Sequence, residues 1–214
     1  MLCPPYRPLP HEGMMSAFWD DKFASREYLY GVEPNAFLVS QRHRLRPGME
    51  VLAVADGEGR NGVWLAEQGM RVSTVDGSPV AVRKALKLAL DRRVTIHAQV
   101  ADLADWAWPV AAFDAVAAVF IHFGPDLRRS MHHAMYGALK PGGLVLMEVF
   151  HPDQLGRGSG GPPVREMLYD AATLAEDFRG AEVLHLEEVE TDLDEGPLHR
   201  GAASVTRLVA RRPA

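Results

Sequence analysis

Residues 50–62 read EVLAVADGEGRNG, and the fold predicted for the whole chain follows from this segment. Its apolar first half is typical of a buried β-strand, and a helix is predicted after it, through Val63 and Leu65. The turn between them, from Gly57 to Gly62, matches the pattern G-x-G-x-x-G literally. Such a turn either holds a nucleotide-type ligand or only allows the backbone to bend sharply.

The alternation of strand and helix continues along the chain. Short strands, most of them followed by amphipathic helices, are predicted at 71–75, 94–100, 113–120 and 144–150. Two longer strands, 182–193 and 203–211, follow a Gly- and Pro-rich loop and a short helix, and a hairpin-type link joins them. We therefore predict a three-layer α/β/α fold. Its Rossmann-like sheet has seven strands, mostly parallel, with an antiparallel C-terminal strand.

The composition limits the classes of function. The 214 residues carry a formal net charge of −5 and a single cysteine, Cys3. One cysteine permits no intramolecular disulfide and no Cys-based zinc site, which favours a cytoplasmic protein. The acidic balance argues against nucleic-acid or anionic-membrane partners, because those need an excess of Lys and Arg. A small-molecule partner and a monomer or weak homodimer are the expectation.

The chain divides into three predicted segments. Residues 1–13 are rich in proline, residues 14–45 are rich in aromatic side chains, and residues 46–214 contain the sheet. We predict an extension, a helical cap that packs over the sheet, and a ligand-binding domain. The aromatic residues of the cap either form a lid that excludes water or simply pack on the core; the candidates for the lid are Trp19, Tyr28 and Tyr30.

Acidic residues stand where predicted strands end. Asp56 and Glu58 follow the first strand, Asp76 the second and Asp102 the third. Ligands of open α/β sheets bind at these carboxyl ends, and an acid after the second strand can bind a ribose diol. Acids in the glycine turn oppose a pyrophosphate and suit a ligand with an amino group and a sulfonium. That ligand is S-adenosyl-L-methionine.

Residues 14–214 resemble class I S-adenosylmethionine-dependent methyltransferases, and more closely the small bacterial group related to tellurite-resistance and thiopurine methyltransferases. The stretches that carry the resemblance are WDDKF, YLYGVEPNAFL, VLAVADGEGRNGVWLAEQGMRVSTVDGSPVAVRKA, ADLADW, FDAVAAVFIHF, LKPGGLVLMEVF and DQLGRGSGGP. The resemblance implies that Gly57 and Gly59 hold the methionyl part, Asp76 the ribose, and Asp102 with Leu103 the adenine. The full predicted cofactor site is Asp56, Gly57, Glu58, Gly59, Arg60, Asn61, Asp76, Gly77, Ser78, Asp102, Leu103 and Phe120.

The chain departs from the family pattern in two places. Ala53 stands where the class has an acid, and Ala55 stands where it has a glycine. An alanine at position 55 could crowd the methionyl group. We hypothesise that Asp56 replaces the missing carboxylate.

The acceptor side is less defined. His122 is the one candidate base at a strand end, and it could instead line the pocket or have only a structural role. His151, Arg157 and Arg165 are candidates for substrate contacts, with solvated loop arginines as the alternative. The motif H-E-x-x-H is absent from the sequence, and no metal is predicted.

The implied reaction is methyl transfer to a small molecule, with S-adenosylhomocysteine as product. A soft nucleophile such as a thiol or a selenium or tellurium oxyanion needs little beyond alignment with the methyl group. Two alternatives stay open: an NAD(P)-dependent oxidoreductase, from the literal G-x-G-x-x-G, and a catalytically silent methyltransferase-like module.

Overall fold

The computed structural model describes residues 13–214, so the predicted extension lies outside the described residues apart from its last position. A seven-stranded sheet has the order β3-β2-β1-β4-β5-β7-β6. Its strands are β1 Glu50–Val54, β2 Arg71–Asp76, β3 His97–Val100, β4 Phe113–Val119, β5 Leu139–Phe150, β6 Glu182–Asp194 and β7 Arg200–Arg211. Strands β1 to β5 pair in parallel, whereas β7 is antiparallel to both β5 and β6. The predicted fold class is confirmed.

Within residues 13–214, six α-helices accompany the sheet. They are α1 Gly13–Phe23, α2 Ala36–Ser40, α3 Arg60–Glu67, α4 Pro79–Asp91, α5 Pro125–Ala138 and α6 Ala171–Asp177. Residues on a strand point alternately to its two faces, and the sheet uses both. Leu52 of β1 belongs to the core shared with α5 and α6, and its neighbour Val51 belongs to the core shared with α2, α3 and α4. The result is the predicted three-layer arrangement.

Local signals place the helix ends near the carboxyl edge of the sheet. The Ser78 side chain accepts a hydrogen bond from the Ala81 amide and caps α4, and Pro79 is its first residue. Gly59 has φ 92° and turns the chain into α3. These two helix starts lie directly after β1 and β2, where the ligand site is predicted.

Several boundaries differ from the prediction. Strand β3 is short, and residues 94–96 lie outside it. Strand β5 starts at Leu139, before the predicted start at residue 144, and its first residues lie next to a register shift opposite β4. The cap is only partly helical, since Gly31 has φ 69° and Pro34 disfavours helical backbone in the residue before it.

The cap lies over the carboxyl ends of β1 and β2. The Asp20 carboxylate accepts hydrogen bonds from the Ser78 hydroxyl at 2.5 Å and the Val80 amide at 3.3 Å. The Phe23 ring covers the glycine turn: a Cβ built on Gly57 would lie 3.5 Å from it. The aromatic segment is therefore adjacent to the predicted ligand site. Between residues 13 and 214, no helix has the length and apolar character needed to cross a membrane.

Candidate active site

The glycine turn depends on left-handed backbone at three positions. Gly57 and Gly59 have φ values of 56° and 92°, and a Cβ on Gly59 would lie 2.6 Å from the Cβ of Ala85. Ala55 has φ 46°, a conformation that L-residues adopt at a cost of roughly 1–2 kcal/mol. The position to which the resemblance assigns a glycine thus holds an alanine with left-handed backbone. Strain of this kind is typical of functional sites.

Asp76 joins the first two strand ends. Its Oδ2 accepts a hydrogen bond from the Gly57 amide and its Oδ1 accepts one from the Ser78 amide, both at 2.8 Å. Burial raises the pKa of its carboxyl, the two amides oppose that shift, and Asp20 adds to it. An ionised carboxylate offers about four lone-pair sites, so these bonds leave acceptor capacity for a ribose diol. Gly77 lies between Asp76 and Ser78 in the sequence of this turn.

Asp56 points beneath the turn rather than out of it. Its Oδ2 accepts a hydrogen bond from the Gly62 amide at 3.0 Å, in the first turn of α3. Burial raises the pKa of Asp56 to about 7, and Asp76 contributes in the same direction. The carboxylate is therefore a buried group at the start of a helix. It can act on a ligand through its charge, and the hypothesis that it replaces the missing family acid stays a prediction.

The raised pKa predicts that Asp56 makes the protein less stable as the pH rises. An unfolded aspartate ionises near pH 3.9, well below the folded value of about 7. The proton is thus bound more tightly in the folded state, and this contribution to stability is lost between about pH 4 and 7. We therefore compare the unfolding free energy of Asp56→Asn with that of the wild type at each pH. Between about pH 4 and about pH 8, we expect this difference to change by roughly 2–4 kcal/mol in favour of the variant.

Urea unfolding of the wild type and of Asp56→Asn across this pH range measures the effect. The exposed Asp21→Asn is the matched control and should follow the wild type at every pH. A constant difference between Asp56→Asn and the wild type would show that the buried carboxylate does not titrate near neutrality.

Three residues of the glycine turn have side chains that bond within the protein. Glu58 is ion-paired with Lys84 and accepts a hydrogen bond from the Leu29 amide. Arg60 is ion-paired with Glu195 across 2.7 Å. The Asn61 side-chain oxygen accepts a hydrogen bond from the Asn35 amide at 2.9 Å. The contacts of Glu58 and Asn61 attach the cap to the turn, and the contact of Arg60 attaches the β6–β7 hairpin to it. Direct contact of the three side chains with a cofactor stays a prediction.

The predicted adenine side opens to solvent at the end of β3. An open cleft of about 470 Å³ is lined by Gln99, Ala101, Asp102, Asp105, Trp106, Ala107 and Pro109. Asp102 is exposed, and its Oδ1 accepts a hydrogen bond from the Ala104 amide. Leu103 is only 8% exposed and belongs to the core below. The cleft lies beside the residues to which the resemblance assigns the adenine.

His122 is not arranged as a base. Its Nδ1 lies 2.6 Å from the Met167 carbonyl oxygen, and its Nε2 accepts a hydrogen bond from the Phe150 amide at 3.2 Å. The amide fixes Nε2 as the acceptor, so Nδ1 carries the proton and donates it to the carbonyl. Burial lowers the pKa of His122 to about 4. Both ring nitrogens are bonded to backbone atoms, and a catalytic role for His122 stays a prediction.

The other predicted acceptor contacts lie on the loop after β5. His151 caps a short helical turn, because its Nδ1 accepts a hydrogen bond from the Asp153 amide. Arg157 is ion-paired with Glu190 of β6 at 2.6 Å. Arg165 is exposed. Arg157 is therefore committed to a protein carboxylate, and a role for any of the three in binding an acceptor stays a prediction.

The predicted lid residues lie at different positions of the cap. Trp19 stacks on Phe23 with ring centroids 5.5 Å apart, above the glycine turn. The Tyr28 hydroxyl donates to the Lys84 carbonyl on α4. Tyr30 packs against His199, with centroids 4.5 Å apart. Burial raises the pKa of Tyr30 to about 12.

Sequence reasoning missed His199 and Phe23 as parts of the site. His199 lies in the β6–β7 link, which the sequence predicts only as a connection, and its ring contacts Phe120 at 4.6 Å. Phe120 directly follows β4, has φ 53° and stacks on Phe150 with ring centroids 4.5 Å apart. No local pattern shows that a distant hairpin folds back over these strand ends. Within residues 13–214, no group of three or more His, Cys, Asp or Glu is placed to hold a metal ion.

The strand order and the antiparallel β7 define the class I methyltransferase fold. Residues 51–143 match a family model described as a methyltransferase domain, which spans β1 through the first part of β5. The part of the chain that is similar to a methyltransferase domain therefore includes the glycine turn and the acids after β1 and β2.

Solved structures share this fold at low sequence identity. One of them is 20% identical to this chain, with a TM-score of 0.75, over 93% of this chain and 92% of that one. Its description reads conversion of a disulfide bond into a thioacetal group during echinomycin biosynthesis. The [4+2]-cyclase SpnF is 19% identical with a TM-score of 0.71, over 94% and 95%. An S-adenosylmethionine-dependent methyltransferase from Methanosarcina mazei is 15% identical with a TM-score of 0.65, over 85% and 99%. No curated protein matches the sequence.

Proposed function

We propose that this protein binds S-adenosyl-L-methionine at the carboxyl ends of β1, β2 and β3 and transfers its methyl group to a small-molecule acceptor. The observation that supports this most is Asp76, which is anchored to the glycine turn and keeps acceptor capacity for further hydrogen bonds. The nearby Asp56 adds a second buried carboxyl. Together they favour a ligand with a ribose diol and a positive charge.

The residues of the site have distinct tasks in this proposal. Gly57 and Gly59 give the methionyl part a backbone surface without side chains, Asp76 accepts hydrogen bonds from the ribose, and Asp102 faces the adenine cleft. The bound cofactor supplies an electrophilic methyl group on a sulfonium. The protein aligns the acceptor lone pair with that methyl group and excludes water, which together can lower the barrier by about 7–11 kcal/mol. In such a transfer the acceptor lone pair would form a bond to the methyl carbon as the carbon–sulfur bond breaks, the electron pair of the broken bond would stay on sulfur, and an acceptor that carries a proton would release it to solvent.

The order of strands argues against the oxidoreductase alternative. Doubly wound dinucleotide-binding sheets have a parallel sixth strand in the order 3-2-1-4-5-6. Here the sixth position is occupied by the antiparallel β7. We also propose, from the resemblance, a soft-nucleophile acceptor, membership of the tellurite-resistance and thiopurine group, a cytoplasmic location and a monomer or weak homodimer.

Thermal unfolding with three ligands tests the cofactor. A ligand at about 100 times its Kd stabilises a protein by about 2.7 kcal/mol, which shifts the melting temperature by several degrees. We expect S-adenosylmethionine and S-adenosylhomocysteine each to produce this shift and NAD to produce none. Stabilisation by NAD alone would overturn the proposal. Binding of S-adenosylmethionine without transfer to thiol, selenite, tellurite or phenol acceptors would instead favour the silent module.

A further inference from the structure

His199 stands in an aromatic cluster formed by Tyr30, Phe120, Phe150 and His199. Its ring centroid lies 4.5 Å from Tyr30, 4.6 Å from Phe120 and 5.4 Å from Phe150. These residues come from the cap, the end of β4, the end of β5 and the β6–β7 hairpin. The cluster therefore lies beside the proposed cofactor site, at the ends of the next strands of the sheet.

One ring atom of His199 lacks a partner. The side chain is 94% buried, since only 6% of the residue is exposed, and its Nδ1 makes no hydrogen bond within residues 13–214. Leaving a buried polar atom unpaired costs about 1–3 kcal/mol, and such an atom in a native structure calls for an explanation. His122, close by, has both nitrogens bonded to backbone. The fully buried His132 of α5 also has an unpaired nitrogen, Nε2, but among the residues named for the cluster only His199 has one.

The surroundings keep the imidazole uncharged. Burial lowers the pKa of His199 to about 3, with Arg60 and His122 contributing in the same direction. The Arg60 guanidinium is itself neutralised by Glu195. The cluster thus offers a neutral hydrogen-bonding atom among aromatic rings, which disfavours an oxyanion and suits an uncharged aromatic molecule.

The long loop after β5 closes against the same cluster. A Cβ on Gly160 would lie 2.6 Å from the His199 ring, and one on Gly161 would lie 3.1 Å from the Phe150 ring. Both glycines also have positive φ, which other residues rarely adopt. The close approach of the loop to the cluster thus depends on glycine at both positions. Five segments of the chain therefore converge on His199 and Phe150.

We propose that His199 recognises the methyl acceptor, an uncharged aromatic molecule whose hydroxyl or thiol hydrogen-bonds to Nδ1 while its ring packs on Tyr30 and Phe120. This inference rests on the proposed function, because the molecule it positions is the substrate of that reaction. Tyr30 and Phe120 are the half-buried rings of the cluster, and Tyr30 belongs to the cap. Because Nδ1 of His199 is enclosed, the acceptor reaches it only when the cluster opens on the side of the cap. This assignment replaces the oxyanion acceptors expected from the resemblance with phenols and aryl thiols.

Calorimetric titration of 2-naphthol, thiophenol and tellurite into the protein, at a pH low enough to keep both aromatic probes protonated, tests the assignment. The titrations are run with and without S-adenosylhomocysteine, on the wild type, His199→Phe, His199→Asn and the exposed control His133→Phe. His199→Phe keeps a ring but removes both nitrogens, whereas His199→Asn places an amide near the position of Nδ1. We expect 2-naphthol and thiophenol to bind the wild type, His199→Asn and His133→Phe similarly, and His199→Phe roughly 10- to 100-fold more weakly. A merely structural role would affect His199→Asn as much as His199→Phe.

The outcomes separate this assignment from the proposed function. Equal affinity of the wild type and His199→Phe, no binding of either aromatic probe, or binding of tellurite alone would each overturn the assignment. Each of these results overturns the assignment whether or not S-adenosylhomocysteine binds. Failure of S-adenosylhomocysteine to bind the folded wild type counts against the proposed function instead.

Discussion

Replacing Asp76 with alanine is expected to weaken S-adenosylmethionine binding by about 10²- to 10⁴-fold. Hydrogen bonds to a charged group contribute about 1.5–3 kcal/mol each, and the carboxylate has capacity for both ribose hydroxyls. The substitution also releases the amides of Gly57 and Ser78, which Asp76 now holds. Calorimetry measures the dissociation constant, and circular dichroism shows whether the variant is folded.

Asp102→Ala is the matched comparison, because Asp102 is an exposed acid at the neighbouring strand end. A single exposed hydrogen bond contributes about 0.5–1.5 kcal/mol, so we expect a loss of roughly 2- to 12-fold. Should folded Asp76→Ala bind S-adenosylmethionine within a few-fold of the wild type, Asp76 is not the ribose contact.

Replacing Glu195 with alanine is expected to destabilise the protein by about 3–5 kcal/mol, because it leaves the Arg60 guanidinium buried and unpaired. The two side chains are 8% and 7% exposed and lie 2.7 Å apart. Glu195 also accepts hydrogen bonds from the Asn35 side chain and the Ala36 amide. One carboxylate thus links the β6–β7 hairpin, the cap and the glycine turn.

A double variant separates the effect of the unpaired charge from that of the other contacts of Glu195. Arg60→Met with Glu195→Leu replaces both charges with apolar groups, and such replacements are often neutral or stabilising. We expect the double variant to be more stable than Glu195→Ala in urea unfolding. The exposed pair Arg200–Asp194 of the same hairpin is the control, and Asp194→Ala should change the stability by about 1 kcal/mol or less. A change of similar size for Glu195→Ala and Asp194→Ala would contradict the burial argument.

The fold was largely predictable because its signals are local. Apolar runs, the Ser78–Pro79 helix start and the glycine turn each depend on neighbours in the sequence. The acids after β1, β2 and β3 were predictable for the same reason, since parallel strands bring their carboxyl ends to one edge. The cap was predicted less well, because its path after α1 depends on contacts with residues far away in the sequence.

The direction of each side chain could not be read from the sequence. Asp56 follows its strand as predicted, yet its carboxylate points toward the start of α3. His122 stands at a strand end as predicted, yet the backbone of Met167 and Phe150 occupies both its nitrogens. His199 reaches the cluster only through the folding of β6 and β7, so its role depends on tertiary contacts with no local signature.

A nuclear magnetic resonance titration with S-adenosylhomocysteine tests the central claim most directly, because it locates the ligand on the protein. We predict that amide signals of Gly57, Gly59, Gly77, Asp102 and Leu103 shift together and saturate at one ligand per chain, while those of α5 and α6 stay unchanged. Absence of any shift, or shifts confined to residues away from the carboxyl ends of β1, β2 and β3, would contradict the account.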